Sequence, residues 1–352
     1  MQLELDEKQR FDLRINKPNE KSQNKDKELI YYTSQEVIKK LFEKINSIFK
    51  LNFNGLKYIE RGGGSFIYEA SLPNKKNPLI IKVISDKRCK SINEIRIMNK
   101  LRHKNIISIF GYYMDKNGDE FIIMEKGKMD LKAFQFNFLK RYVLSETFLC
   151  YAAFQILEGL KYLHRCNIIH YDIKPNNIVI DEFLNIKIID FSTSLDISEI
   201  KDPFVQTKYR GTTLYMAPEV MKRDKINIKD YHKIDLFSLG IMLYRLAFGF
   251  YPFNLQREDV DNDDIILSKI NSDFKVENIE TEFSKYFIDF LNGLLEKDIK
   301  KRININEALN HPWIKGAEIL LEEKETINNA TIFLTSLITD NFMKFNSYIN
   351  LF

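Results

Sequence analysis

The spacing of apolar residues changes character along this chain. Residues 1–30 are polar, mixed in charge and without a period, so a largely disordered tail is expected there. At Thr33 a helical pattern begins. Thr33-Ser-Gln-Glu36 has the form of a capping box, and Val37, Leu41, Ile45, Ile48 and Phe49 recur at helical spacing. They predict one short amphipathic helix ending near Lys50, which makes residues 31–55 a helical extension. From Leu56 to Ile84 the pattern predicts strands: LKYIE, FIYEASL and PLIIKVI, the last two joined by the turn-forming PNKKN. A helix over Asn93–Leu101 precedes two more strands, IISIFGYY and EFIIME. Beyond Gly127 the spacing is mostly helical, as in ETFLCYAAFQILEGLKYLH. Strands first and helices afterwards predict an α+β fold with a small sheet lobe over 56–126 and a larger helical lobe over 127–314. Past that point Ile319, Leu320, Ile327, Phe333, Leu334, Leu337, Ile338 and Phe342 are too many apolar residues for a free linker. Residues 315–352 are therefore expected to form a helical extension packed on the large lobe.

Composition narrows the class. Hydrophobic residues at 44% and charged residues at 29% are ordinary globular values, and 352 residues allow a sizeable core. The 53 basic and 49 acidic residues are interspersed, so the net charge of +4 gives no support for nucleic-acid binding. Cys89, Cys150 and Cys166 form an odd set with no C-x-x-C pair. Reduced thiols in a cytoplasmic protein are expected, with the nucleus as the alternative. The start MQLELDEKQR lacks a basic-then-apolar leader and does not read as a secretory signal. The most apolar window, Ile234 to Phe253, carries Asp235 and Arg245 inside it. A buried core helix before the Gly249–Pro252 turn region fits it better than a membrane span. In the acidic run DVDNDD an EF-hand loop begun at Asp259 would need glycine at its sixth position and glutamate at its twelfth. Asp264 and Ile270 stand there instead, so a solvated loop is expected.

Four separated segments carry candidate chemistry. RGGGSFIYEA is glycine-rich between two strands, where small residues let backbone amides approach phosphate oxygens. Lys82 ends a buried apolar strand, a costly place for an ammonium unless it is paired, and Glu94 on the next helix is its expected partner. HYDIKPNN sets Asp172 between a histidine and a lysine, with Asn177 five places on, and IKIIDFS delivers Asp190 from a strand. Asn177 and Asp190 are oxygen ligands of the kind Mg²⁺ accepts, since nucleotide phosphates and waters complete its octahedron. Asp172 is then free to meet an incoming hydroxyl. Singly, each segment has a structural explanation: a flexible hairpin, a surface ion pair, a turn aspartate, a capping asparagine. Their joint order is hard to explain as coincidence.

In that order the segments resemble the eukaryotic protein kinase family. The resemblance covers roughly Leu56 to Ile314: the glycine-rich loop, IIKV with Lys82, NEIRIM with Glu94, HYDIKPNN, DFS, GTTLYMAPE, DLFSLG, and Arg302 before HPWI. It implies the bilobal protein kinase fold and transfer of phosphate from ATP to protein substrates in signalling, with Mg²⁺, or Mn²⁺ as an alternative, and a monomeric enzyme. Carried over by position, it implies that Lys82 contacts the α- and β-phosphates and pairs with Glu94. Asp172 would act as catalytic base, Lys174 would neutralise charge on the moving phosphoryl group, and Asn177 and Asp190 would hold the metal. Backbone groups of Glu125 and Gly127, in the hinge after Met124, would bind the adenine edge. Arg61, Gly62, Gly63, Gly64, Ile67 and Ile80 complete the implied ATP-binding set. Glu219 of APE would pair with Arg302. Lys174 and Thr212 are similar to the serine/threonine branch, while HPWI is similar to the calcium/calmodulin-dependent group but also occurs in others. Calmodulin is not expected as a partner, because after Lys324 the tail holds only Lys344 as a basic residue.

The departures from the family pattern matter too. Ile67 lies fifteen positions before Lys82, a normal interval, which puts the first and third glycines of G-x-G-x-x-G on Glu60 and Ser65 and keeps Gly62 in the centre. The interval from Lys82 to Glu94 is short and predicts a trimmed helix. DFG stands as DFS, where Ser192 restricts the backbone more than glycine would. These changes make a nucleotide-binding pseudokinase, acting as scaffold or allosteric partner, the alternative reading. Arginine-directed kinases place acidic residues near the positions of Asn176 and Arg245, so no strong preference for arginine two residues before the acceptor is expected. Tyr171 stands where many regulated members carry an arginine that pairs with a phosphate on the activation segment. A neutral hydroxyl cannot neutralise such a phosphate, so phosphorylation at acceptors such as Ser198, Thr207 or Tyr209 is not expected to be required.

Overall fold

The helical spacing after Gln35 is realised as α1, Gln35–Phe49, with Val37, Leu41, Ile45 and Phe49 buried along one stripe. This computed structural model describes residues 35–50, 52–62, 65–73, 77–84, 92–115, 118–138, 144–272, 274, 276, 283–317 and 320. The expected disordered tail, Thr33 of the capping box, Gly63, Gly64, Cys89 and most of the 315–352 extension lie outside them. The chain divides into two compact units, Met1–Lys100 with Ile107–Lys126, and Leu101–Ile106 with Gly127–Phe352.

The first unit is a five-stranded antiparallel sheet in the order β1-β2-β3-β5-β4. Its strands are β1 Gly55–Gly62, β2 Ser65–Ser71, β3 Leu79–Ile84, β4 Ile109–Met114 and β5 Glu120–Glu125, with helix α2, Ile92–Lys100, between β3 and β4. Alternation sorts the side chains. Phe66, Tyr68, Ile81, Val83, Phe121 and Ile123 share one face and form a single core with α1. Ile67, Lys82 and Ile122 pair side by side on the opposite face. The helical extension is thus part of the small unit's core. A buried ion pair between Lys44 of α1 and Asp115, just past β4, ties the two together. Phe49 lies edge-on to Tyr113, with centroids 6.4 Å apart. Phe49→Ala should lower stability by about 3–5 kcal/mol in a denaturant melt, while Phe183→Ala, at a ring 60% exposed, should stay within about 0.5 kcal/mol. Equal costs at the two sites would contradict this packing. The strand predicted from Ile106 starts only at Ile109, because Ile106 itself belongs to the second unit, where it bridges to Ile188.

The second unit is mainly helical: α3 Glu146–Arg165, α4 Lys233–Phe248, α5 Asp263–Ile270, α6 Lys285–Leu294 and α7 Ile305–Leu309. Short strands position its loops. Here β6, Met129–Asp130, β8, Ile178–Ile180, and β9, Ile186–Ile188, form one sheet. In addition β7, Ile168–Ile169, pairs with β10, Leu195–Asp196, and β11, Phe204–Gln206, pairs with β12, Lys225–Asn227. The apolar window is indeed a core helix, α4, closed by Gly249 at φ +83°, the left-handed cap that glycine tolerates best. Among the described residues no helix is long and apolar enough to cross a membrane. The acidic run is largely exposed, as expected, but it is helical rather than a loop. Asp263 and Asp264 sit in the first turn of α5, where carboxylates complement the helix dipole, and buried Asp259 accepts from Lys269 at 2.6 Å. The HPWI segment is structural: Trp313 packs against Phe287 and Phe290, and its indole donates to buried Glu146 at 2.9 Å.

Candidate active site

The loop after β7 is held from beneath by one carboxylate. Asp235, fully buried at the start of α4, accepts from the backbone N–H of His170 at 2.9 Å and of Tyr171 at 2.8 Å, and bonds to His164 Nε2 at 3.0 Å. Burial pushes its carboxyl up, but the bonds from His164 and His170 outweigh this and hold it below the ordinary carboxylate range. These bonds also fix Tyr171 at φ +69°, a left-handed conformation that strains a bulky residue by roughly 1–3 kcal/mol. Gly211 lies against the same point, at φ +99°; a Cβ there would stand 2.2 Å from the Tyr171 carbonyl oxygen.

Asp172 is thereby presented to three donors. Thr212 Oγ1 donates to Oδ1 at 2.6 Å, while Lys174 Nζ at 2.7 Å and Asn177 Nδ2 at 2.9 Å donate to Oδ2. Lys174 also reaches Thr212 Oγ1 at 2.7 Å, which closes the ring. Because Asn177 spends its amide hydrogens on the Asp172 carboxylate and carbonyl, its Oδ1 is turned away from Asp172. Asp190 follows β9 at φ +63°, with its Oδ1 3.4 Å from Ser192 N. Phe191 is buried edge-on to His170, and the hydroxyls of Thr193 and Ser194 donate to the His170 carbonyl at 3.2 and 3.3 Å. So DFS and the Asp172 loop are stitched together.

In the first unit, Lys82 Nζ lies 2.7 Å from Glu94 Oε1, both groups buried. Among the described residues helix α2 runs over Ile92–Lys100 and carries Glu94 in its first turn. The β-sheet pairings place Ile67 beside Lys82 and Ile80 beside Met124, with Ile80 two residues from Lys82 on the same face. Gly62 pairs with Ser65 across the β1–β2 turn, and the Arg61 guanidinium sits 5.2 Å over the Phe66 ring. The Glu125 N–H donates to the Ser108 carbonyl at 2.9 Å. Gly127, in the second unit, lies so close to Val179 that a Cβ would meet it at 2.6 Å.

Residues 53–314 match the protein kinase domain family. The chain belongs to the protein kinase domain family. It is 34% identical over 245 residues to calcium-dependent protein kinase 6 of Plasmodium berghei, covering 67% of this chain and 15% of that protein. It is 32% identical over 270 residues to the probable serine/threonine-protein kinase fhkB of Dictyostelium discoideum, covering 73% and 22%. Serine/threonine-protein kinase dkf-2 of Caenorhabditis briggsae shares 32% over 230 residues, or 64% and 18%. The chain spans less than a quarter of the length of each of these relatives.

In kinase terms, residues from Asp190 to Glu219 form the activation segment. Arg302 Nη1 and Nη2 hold Glu219 at 2.7 and 3.0 Å, a buried forked pair bracing its end. The start and the middle of the segment also meet around Tyr171. The Tyr171 hydroxyl donates to Tyr231 OH at 2.8 Å, and Tyr231 OH donates to the Gln206 carbonyl at 3.3 Å. Arg210 lies 5.7 Å over the Tyr171 ring and donates to the Thr193 and Ser194 carbonyls. Burial pushes the Tyr171 hydroxyl pKa far up, so it stays neutral. Two features escaped the sequence. Thr212 was noted only as a marker of substrate class, not as a donor to Asp172 across forty residues. The DLFSLG motif gave no hint that Asp235 holds the Tyr171 backbone.

The kinase should lose stability in mild acid. His232, its ring 5.4 Å from that of His164, has its pKa pushed down to about 4, chiefly by burial, from an ordinary 6.5. Its folded pKa lies below the unfolded one. Between those values the unfolded chain binds the extra proton, and stability falls as pH drops through the window. Burial lowers His103 and His311 in the same direction. The melting temperature should be lower at about pH 5 than at about pH 7, and His232→Gln should shrink the difference. An unchanged slope in that variant would contradict the assignment.

Proposed function

We propose that this kinase transfers phosphate from ATP to serine or threonine hydroxyls of proteins, with Asp172 as the base that receives or orients the acceptor hydroxyl. The observation that carries the reading is the ring of donors on Asp172. A carboxylate has about four lone-pair sites, so with three filled by Thr212, Lys174 and Asn177 it can still accept an incoming hydroxyl in one orientation. Lys174 places its ammonium beside that position, where negative charge is to be neutralised. Lys82, oriented by Glu94, would take nucleotide phosphates. The apolar face bearing Ile67, Ile80 and Met124, and the backbone of Arg61, Gly62, Gly63, Gly64, Glu125 and Gly127, would hold the rest of the nucleotide.

Asn177 Oδ1 and the Asp190 carboxylate fit a hard divalent cation. Among the described residues no group of three His, Cys, Asp or Glu could hold a metal by itself, which suits an ion that keeps waters and phosphate oxygens as ligands. When bound, Mg²⁺ would supply positive charge that neutralises the charge developing on the phosphates. Labelled ATP with a mixed protein substrate, followed by phosphoamino-acid analysis, tests the reaction class. Phosphoserine and phosphothreonine are expected. Phosphotyrosine as the main product would exclude the serine/threonine reading, and nucleotide binding without transfer would favour the scaffold alternative.

Order in the activation segment should not depend on phosphate. Tyr171, Tyr231 and Arg210 already tie its middle, at Gln206 and Arg210, to its start at Thr193 and Ser194. Thr207 is a poor acceptor, since it is buried with its hydroxyl donated to the Glu219 carbonyl at 2.9 Å, whereas Ser198 is exposed. Phosphatase-treated enzyme and Ser198→Ala should keep most of their turnover. A loss of about a hundredfold on dephosphorylation, roughly 2.7 kcal/mol, would show that Arg210 serves a phosphate instead.

A further inference from the structure

Arg245, in the last turn of α4, is a half-buried cation without an anion. Its Nη1 donates to Tyr215 OH at 2.9 Å, and its guanidinium lies 4.5 Å over the Tyr251 ring. Among the described residues no carboxylate forms an ion pair with it. Several other sequestered cations of this unit are matched, Arg302 with Glu219, Lys233 with Asp230, Lys174 with Asp172 and Lys269 with Asp259, and Arg210, which among the described residues faces no carboxylate, has two backbone carbonyls instead. Arginine has five N–H donors and is seldom withdrawn from water unpaired. Tyr215 supplies one acceptor and leaves most of the planar fork unused.

The position of that fork gives it a use. Tyr215 belongs to the turn Thr213–Tyr215, and its N–H donates to the Thr212 carbonyl at 2.9 Å. Thr212 in turn touches Asp172 at 2.6 Å. Arg245 is therefore one tyrosine away from the residue that contacts the proposed base. A peptide whose hydroxyl reaches Asp172 extends roughly 3.3–3.6 Å per residue, so side chains two or three positions from the acceptor come within range of the guanidinium.

We propose that Arg245 is a specificity-determining residue that binds an anionic side chain of the substrate, aspartate, glutamate or a phosphorylated residue, within about three positions of the acceptor. This rests on the kinase reading above. The planar guanidinium matches carboxylate and phosphate bidentately, and the walls formed by Tyr215 and Tyr251 reduce competition from water. The neighbouring acidic run acts in the opposite sense, but weakly. Its Asp259 is taken by Lys269 and its Asp263 by Tyr209, while Glu258, Asp261 and Asp264 are exposed and screened by salt over roughly 8–10 Å. Contact at Arg245 outweighs that long-range push.

The test is a set of neutral peptides with one acceptor serine, carrying aspartate, phosphoserine, alanine or arginine at each of the three flanking positions on either side. The readout is the ratio of kcat/KM values between peptides within each protein, which cancels any general loss of activity. For the wild type, aspartate or phosphoserine at one position should raise kcat/KM at least about tenfold over alanine, mainly through KM, and arginine there should lower it. Arg245→Gln should bring the ratio within about twofold, and Arg245→Glu should invert it. Should Arg245→Gln fail to fold, Arg245→Lys keeps the charge but loses the fork, and its phosphoserine preference should fall several-fold. A phosphoserine advantage over aspartate would assign the subsite to previously phosphorylated substrates; equal ratios would assign it to acidic ones. A flat wild-type profile, or a ratio that Arg245→Gln, Arg245→Glu and Arg245→Lys leave unchanged, overturns the Arg245 assignment alone. Failure of the wild type to phosphorylate any peptide or protein overturns the kinase reading, and this inference with it.

Discussion

Asp190→Ala should reduce phosphoryl transfer below about a tenth of wild type, a barrier increase of more than roughly 1.4 kcal/mol, with little change in melting temperature. The reasoning is electrostatic. Transfer from ATP depends mainly on positioning and on neutralising charge, and Asp190 is the one carboxylate proposed to hold the metal. The residue sits at φ +63°, where alanine is less comfortable than aspartate, so part of any stability loss would be conformational. Asp190→Asn removes the charge and keeps a side chain that tolerates this backbone. Both variants should lose transfer, and Asp190→Asn should melt closest to wild type. Retention of more than a tenth of turnover in both would remove Asp190 from the metal site.

An effect on stability as large as that of Phe49→Ala is expected at Arg302. Its guanidinium is fully buried, forks onto Glu219, donates to the Glu296 and Lys233 carbonyls, and lies 4.8 Å over the Phe237 ring. Arg302→Met leaves the Glu219 carboxylate buried and unpaired, which should cost about 3–5 kcal/mol. Adding Glu219→Gln should recover a good part of that loss, because the orphaned charge is then gone. Chemical denaturation of the two single variants and the double variant measures the coupling. Simple additivity would show that the pair contributes no mutual stabilisation.

The legible parts of the sequence were those where a residue type conflicts with its surroundings unless a specific partner exists. Lys82 in an apolar strand demanded an anion, and Glu94 is where the short interval put it. The buried stripe of α1 was plain from spacing alone, but its target was not. Nothing local reveals that Val37, Leu41, Ile45 and Phe49 cover the face of the sheet opposite Lys82, since that depends on strand register. The start of β4 was misplaced because Ile106 and Ile107 are as apolar as strand residues while Ile106 bridges to Ile188. DVDNDD read as a loop because its charges suggested solvent. Local capping by Gln256 and Asn262, with Lys269 ten residues away, turned it into helix starts. The donors on Asp172 illustrate the same limit: the sequence marks Lys174 and Asn177 for phosphoryl charge and metal and Thr212 for substrate class, while the bonds of all three to Asp172 emerge only from the fold.

The expected packing of the C-terminal extension touches the described residues only at its start, where Ala317 and Leu320 are buried. Truncation after Lys315 would remove both, so a stable and more active truncated kinase would favour an inhibitory role for that segment.

The most direct measurement is transfer of labelled phosphate from ATP to a protein substrate by the wild type and by Asp172→Asn, with folding of both checked by thermal melting. Asparagine keeps the shape and an acceptor oxygen but cannot serve as a base. The wild type should label the substrate, and the variant should be slower by about 10²–10⁴ with a melting temperature within a few degrees. Equal labelling by the two proteins would contradict the role assigned to Asp172 and, with it, the account of this site.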